Sequence, residues 1–434
     1  MSGRSDVIVI GGGLAGLVAA VEAARAGVAV ELFETLKEPG GRARTRQERG
    51  FLFNMGPHAL YAQGPGRRIL EELGVPVRGA PPPLSGSLAR HSGELHRLPV
   101  GVLSLLTTGL LGLSEKRAAA RFLATLPRLD TAELDAVPLA EALEGFGLRG
   151  RARELVLALV RLSTYVHAPE QLSAGAALAQ LKMALSGGVL YLDGGWQSLV
   201  NGLLEAIDRS GARLHRGTFV RHVEPLAGAL RVTTRDGSSR QAAAVVVAVE
   251  PARARELLAG AAGEALGERV ERFLPARVAS LELGLERLPV PRRRFALGID
   301  EPTYFSVHTP TARLSEREGG EVLHVARYLA PDEKPERFVL QEELEGLVDR
   351  LQPGWRDVTL TRKLLSELCV CPGIPRASSG GLAGRPPVRL AEHRGVYLAG
   401  DWVGATGQLA DAALASGREA GRLAAAWTGA QPPS

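Results

Sequence analysis

Asp6-Val-Ile-Val-Ile-Gly-Gly-Gly-Leu-Ala-Gly16 decides how the rest of the chain is read. The apolar run from Asp6 to Ile10, stopped by glycine, is a buried strand, and the alanine-rich stretch from Leu14 to Ala26 is a helix with Gly27 as its C-cap. Gly11, Gly13 and Gly16 satisfy G-x-G-x-x-G at the strand-to-helix turn. The first glycine makes the tight turn, the second lets a pyrophosphate touch the backbone, and the third lets the helix pack on the strand. The helix then opens at Leu14 and Ala15 with unpaired N–H groups and a partial positive charge facing a phosphate. A second strand from Val28 to Phe33 completes a βαβ unit, so the fold class is α/β. The expectation is a Rossmann-like domain with a parallel sheet and a ligand beyond the carboxyl ends of its strands.

Glu34 ends the second strand, where a carboxylate accepts hydrogen bonds from ribose hydroxyls and disfavours a 2′-phosphate. These features serve NAD and FAD equally. The run Gly40-Gly41-Arg42 separates the two: its glycines bring backbone near a dinucleotide and Arg42 can pair with a phosphate, which a generic dehydrogenase does not need.

At 434 residues the chain suits two or three domains, and 45% hydrophobic with 23% charged residues is ordinary globular composition. The net charge of +5 comes from scattered residues, only five of the 52 basic ones being Lys, and aromatics make up 5%. No basic stripe of the kind that binds nucleic acid is present. Cys369 and Cys371 form a lone C-x-C with no partner ligands, which reads as two reduced thiols and no metal site. A strand beginning at Asp6 leaves no room for a signal peptide, which points to the cytoplasm.

Pro81-Pro82-Pro83 marks a change of character. The Leu/Ala/Arg-rich stretches from Leu98 to Leu185 read mainly as helices, an inserted lobe. A helix from Gln197 to Ser210 and strands around Arg213 to Val223, Leu230 to Arg235 and Ala244 to Val249 return to the first domain. Arg277 to Leu285 and Glu321 to Leu329 read as strands of a second, substrate-facing sheet, with a helix from Lys334 to Leu351. The strand Val396 to Ala399 and the following helix add back to the start. The expected division is 1–75, 190–275 and 380–434 for dinucleotide binding, and 76–189 with 276–379 for substrate.

With these motifs placed, the chain resembles the superfamily of flavin amine oxidases, protoporphyrinogen oxidases and phytoene desaturases. The resemblance rests on the glycine motif, Glu34, Gly40-Gly41-Arg42, the stretch Gly50-Phe-Leu-Phe-Asn-Met-Gly-Pro-His58, Gly194-Gly-Trp196, Gly217 to Val223, and the closing Gly395-Val-Tyr-Leu-Ala-Gly-Asp401 with Gly407 to Gly417. It implies non-covalent FAD. Gly56, Pro57 and His58 are expected beside the flavin ring, and Val220 at the adenine edge through its backbone. Gly400 and Asp401 are expected on the ribityl chain and pyrophosphate, and Leu409 and Ala410 at a helix N-terminus facing the flavin N1 and C2 carbonyl. Asn54 stands where the family usually has Asp, Leu36 where amine oxidases often have Arg, and Ala412 where relatives often have Gly.

The resemblance also implies the reaction class, hydride removal to a flavin from a substrate held in a dry slot. Amine oxidases commonly carry a lysine on the strand that here reads Ala276-Arg-Val-Ala-Ser-Leu-Glu-Leu-Gly284, and this strand has none. A lipophilic or polycyclic substrate, a polyene or porphyrinogen, is therefore expected. The alternatives are a double-bond isomerase without net redox, an amine oxidase, a non-catalytic flavin-binding partner, and an NAD dehydrogenase. His58 is the candidate catalytic residue, with Tyr61 and Lys182 as further titratable candidates. Leu98 to Leu113, sixteen residues without a charge, span about 24 Å as a helix, short of a bilayer core of about 30 Å. They read as a helix buried in the substrate lobe; the alternative is a lipid-facing entrance with peripheral membrane contact.

Overall fold

The computed structural model describes residues 4–429 apart from 259 and 392. Strand β1 (Arg4–Ile10), helix α1 (Leu14–Arg25) and strand β2 (Val30–Glu34) form the opening unit. Val7, Ile8 and Val9 are wholly buried because β1 lies in the middle of its sheet, covered on both faces. Each such side chain contributes about 1.5–3 kcal/mol of burial. The sheet runs in the order Arg213–Arg216, β2, β1, Ser239–Val247, Ala229–Thr234, Val220–Leu226, and Val396–Leu398 pairs with the 239–247 strand. Phe33, Ile10, Val247 and Leu398 share one register level across four parallel strands, so these strands end together.

A second sheet of seven strands is built on the pair Ala276–Leu285 and Glu321–Leu329, with Thr359–Cys371 on one edge. Its other edge is the hairpin Leu88–His91 and Glu94–Arg97. Ser92 and Gly93 make the two-residue turn with φ of 50° and 79°, the left-handed pair such hairpins require. Helices Leu113–Thr125, Gly150–Thr164 and Ala174–Gly187 cover one face of this sheet. Helix Arg337–Leu351 packs on the other.

The stretch from Leu98 to Leu113 corrects the sequence expectation. It is not one buried helix but a short helix, Val102–Thr107, and a turn. Leu98, Leu105, Leu110 and Leu111 point inward, while Val102, Leu103 and Leu106 are 79%, 71% and 64% exposed. Gly101 and Gly109 border the helix, and a six-residue helix has too few positions to bury every leucine it carries.

The two ends of the chain are locked together by α1 and the C-terminal helix Leu409–Trp427. A Cβ at Gly417 or Gly421 would collide with the carbonyl oxygens of Ala15 and Ala19, so only glycine permits this crossing. Beside it Glu22, 1% exposed, accepts from Arg418 and Arg422 at 2.9 and 3.0 Å, a carboxylate neutralised from both sides.

Candidate functional site

Gly11, Glu34, Ala248 and Ala399 follow or end the four parallel strands, and all line one cavity of about 610 Å³. This is the crevice beyond the carboxyl ends of a parallel sheet, where such folds bind ligands. Gly11 (φ 106°) turns the chain there, and a side chain on it would strike the Ala248 backbone. α1 starts at Leu14 with no side-chain cap and no acidic residue in its first turn, leaving its N–H groups facing the cavity. Gly40 N donates to Gly12 O at 2.7 Å, which draws the Gly40-Gly41-Arg42 turn against the glycine loop.

Arg42 and Asp401, 359 residues apart, meet across this cavity in a bidentate pair with both N–O distances 2.7 Å. Asp401 is 3% exposed. Burial opposes the charge on Arg42, yet Asp401 and then Glu250, 3.4 Å from Nε, hold its guanidinium protonated above its ordinary range. The sequence reading aimed Arg42 at a phosphate; in the structure its guanidinium is committed to Asp401 and to the carbonyl of Val370. Glu34 likewise accepts from Gly12 N at 2.6 Å and Leu36 N at 2.7 Å, so it braces the glycine loop while facing the cavity.

All of the expected site residues line this cavity except Gly16, Gly56 and Val220. Gly16 lies beneath Gly11, where a Cβ would strike the Gly11 carbonyl. Gly56 donates its N–H to buried Glu282 at 3.0 Å. Val220 starts an edge strand, and Arg253 Nη2, 2.6 Å from the Val220 carbonyl, takes one of the two backbone groups expected to meet the adenine. His58 lies on the wall, edge-on to Trp196 at 5.0 Å and bonded to Gly56 O at 3.0 Å; burial pushes its imidazole below the ordinary value, so it is neutral. Tyr61 also lines the cavity and donates to Ser163 O at 2.5 Å, whereas Lys182 is elsewhere, 3.4 Å from Leu129 O.

Sequence reasoning missed Tyr165, Trp196, Leu368, Cys369 and Asp411, all on the cavity wall. Tyr165 ends its helix in the left-handed region (φ 62°) and donates to Pro57 O at 2.8 Å, behind His58. Trp196 is fixed by Asn54, whose Oδ1 accepts the Trp196 N–H at 2.9 Å. Cys369, exposed on the cavity wall, is raised to about 11 by desolvation and by the nearby carboxylates of Glu250, Asp401 and Glu367, and so stays a thiol at neutral pH. Asp411 sits in the first turn of the C-terminal helix, 1% exposed, and burial pushes its carboxyl up to about 6. Its Oδ1 accepts from Gly66 N at 2.8 Å, and its Oδ2 has no partner. Trp196 Nε1 is likewise buried and unpaired. A glycine turn that leaves no room for a side chain and an uncapped helix N-terminus, both on one cavity wall, fit a dinucleotide pyrophosphate. No three-residue cluster able to hold a metal occurs among the described residues.

Residues 14–271 match the family described as flavin containing amine oxidoreductase. The chain belongs to that family. Its cofactor is FAD, a group that the glycine loop and the uncapped helix fit. Within this flavin oxidoreductase family, the chain is 29% identical over 270 residues to a Mycobacterium tuberculosis protein named as a flavin-containing monoamine oxidase, AofH, covering 57% of each. It is 30% identical over 297 residues to hydroxyneurosporene desaturase of Cereibacter sphaeroides, covering 59% of this chain and 58% of that one. The matches thus span less than two thirds of either relative. A putrescine oxidase double mutant shares the fold, with a TM-score of 0.75 at 16% identity, covering 98% of this chain and 99% of that one.

Proposed function

We propose that this flavoprotein takes a hydride onto its flavin from a lipophilic or polycyclic substrate, a polyene or porphyrinogen, with a proton released to water, and so creates a new double bond in it. The observation that carries this reading is the character of the wall opposite the glycine loop. Val278 from the 276–285 strand, Tyr165, Leu368, Val370 and Leu409 line the cavity and are also part of, or packed against, the apolar cluster of the helical lobe. None of the five lysines lines it. The carboxylates on the cavity, Glu34, Glu250, Glu367, Asp401 and Asp411, are already held by Gly12, Arg42, Arg277 and Gly66, so a charged amine would shed its hydration for little return, whereas an apolar substrate gains by burial there.

Bound FAD supplies the two-electron acceptor. The protein supplies position and dryness. The N–H groups of Leu14 and Ala15 would hold the pyrophosphate, and the Arg42–Asp401 pair joins the two chain ends at the crevice. His58 stays neutral and adds no charge beside the ring. Tyr165 and Tyr61, both raised by burial, keep their protons and serve as apolar wall with a tethered hydroxyl.

Anaerobic titration of the yellow protein with polyenes, porphyrinogens and primary amines tests this. Bleaching of the flavin band by a polyene or porphyrinogen, with product lighter by two hydrogens, is the expected result. Bleaching by amines alone overturns the proposal, and a product of unchanged mass indicates isomerisation.

A further inference from the structure

We infer that the face formed by helix Val102–Thr107 and the start of helix Leu113–Thr125 docks the protein on an anionic lipid surface. Val102, Leu103 and Leu106 present three large apolar side chains to solvent within five residues, and Leu113 (68% exposed) and Leu84 (59%) extend the patch. Beside them lies a groove of about 260 Å³ lined by Leu84, Leu98, Val100, Leu103 and Arg97. Soluble surfaces rarely cluster leucine in this way without an apolar partner.

Charge identifies the partner. Between residues 97 and 129 the basic residues are Arg97, Lys116, Arg117, Arg121 and Arg128, and the only acid is Glu115. Glu115 is already engaged: its oxygens accept from Gly112 N and Arg151 N at 2.8 and 3.0 Å, and it pairs with the Arg151 guanidinium at 3.3 Å. Lys116 donates to Leu106 O at 2.8 Å, which puts a cation directly beside the exposed leucines. Arg117 lies one helical turn after Leu113 and Arg121 one turn further, both exposed. Leucines ringed by uncompensated cations match acyl chains beneath anionic headgroups. A second copy of the chain would bring its own cations against these and repel. No helix among the described residues is long and apolar enough to cross a membrane, so the contact proposed is peripheral.

The inner side of the same segment supports the assignment independently of the substrate. Leu98, Leu105, Leu110 and Leu111 belong to the apolar cluster that contains Val278 and reaches Tyr165 and Leu368 on the cavity wall. Apolar packing therefore runs without interruption from the exposed patch to the cofactor cavity.

Co-sedimentation of the FAD-loaded protein with phosphatidylcholine vesicles, with and without phosphatidylserine, tests the inference. Wild type is expected to sediment with the anionic vesicles and to be released by high salt. The exposed pair Leu103→Asp with Leu106→Asp should lower partition at least tenfold, the burial of one leucine or more. Arg117→Glu or Arg121→Glu alone should lower it about fivefold or more on the anionic vesicles only. Phe338→Asp, at an exposed apolar position on helix Arg337–Leu351, should bind as wild type. Circular dichroism checks each fold without reference to flavin. Absence of wild-type binding to anionic vesicles, or unchanged binding by the Leu103/Leu106 variant, overturns the inference. So does a wild-type dimer in light scattering that the same variant converts to monomer without any vesicle binding, which assigns the patch to a second copy.

Discussion

Asp411→Asn should make the protein more stable at pH 8 and leave it nearly unchanged at pH 4. Asp411 is 1% exposed, its Oδ2 has no partner, and burial outweighs the Gly66 N–H bond and the field of Arg68, so its carboxyl is raised from 3.8 to about 6. A folded-state value above the unfolded one means that the protonated acid is the form the fold favours. Its contribution is fully present below about pH 4 and is lost as pH rises through about 6. Two units correspond to about 3 kcal/mol of lost stability at pH 8, an order-of-magnitude figure. Asparagine keeps the oxygen that accepts from Gly66 and replaces the charge with an amide. With an unfolding entropy of about 2.1 cal/mol/K per residue, 3 kcal/mol is roughly 3 °C in Tm if the chain unfolds as one unit. Melting curves of wild type and variant from pH 4 to pH 8 should therefore diverge, with the variant gaining most of its advantage between pH 4 and 6.5. Parallel curves, or a variant that melts lower at pH 8, would refute the argument that this carboxyl is held against its ionisation.

Arg42→Met leaves the Asp401 carboxylate buried without its partner and should cost roughly 2–4 kcal/mol, less than for a fully buried pair because Arg42 is partly exposed. In a double-mutant cycle with Asp401→Asn, read by chemical denaturation, the combined loss should be clearly smaller than the sum. Gly417→Val forces the C-terminal helix away from the Ala15 carbonyl and should lower FAD retention in spin filtration along with stability. His324, fully buried with both ring nitrogens unpaired, is held at about 3; histidine-labelled NMR should show no titration of it between pH 5 and 8. Heating or mild denaturant should release the flavin into the filtrate, because the cavity holds no reactive thiolate; flavin that stays with the precipitated chain would contradict this.

The opening motif was legible because its signals are local. A strand, a glycine turn and a helix lie within twenty residues, and the period change at Gly11 is visible in the letters. Gly400 and Asp401 were legible only through resemblance, since nothing in their spacing names a partner 359 residues away. The pairing of Asp401 with Arg42 went unread for the same reason. Tyr165 and Trp196 look like ordinary core aromatics in sequence; a left-handed helix end and the side chain of Asn54 turn them toward the cavity. The hairpin at Leu88–Arg97 could have been found, since Ser92-Gly93 between alternating residues is a turn signal. The long strand Thr359–Cys371 could not be read by alternation, because register shifts against its neighbour break the period of two. The exposed leucines at 102–106 were misplaced because composition reports hydrophobicity without saying which way a short helix faces.

The meeting of Arg42 with Asp401 also has a meaning for how the protein is made. At about 5–20 residues per second, a ribosome takes roughly 20–70 s to travel from one to the other. During that interval the glycine loop is complete but its counterpart does not exist. The crevice between the two chain ends is thus completed late in synthesis, and a chain cut short before Asp401 leaves Arg42 without its carboxylate partner.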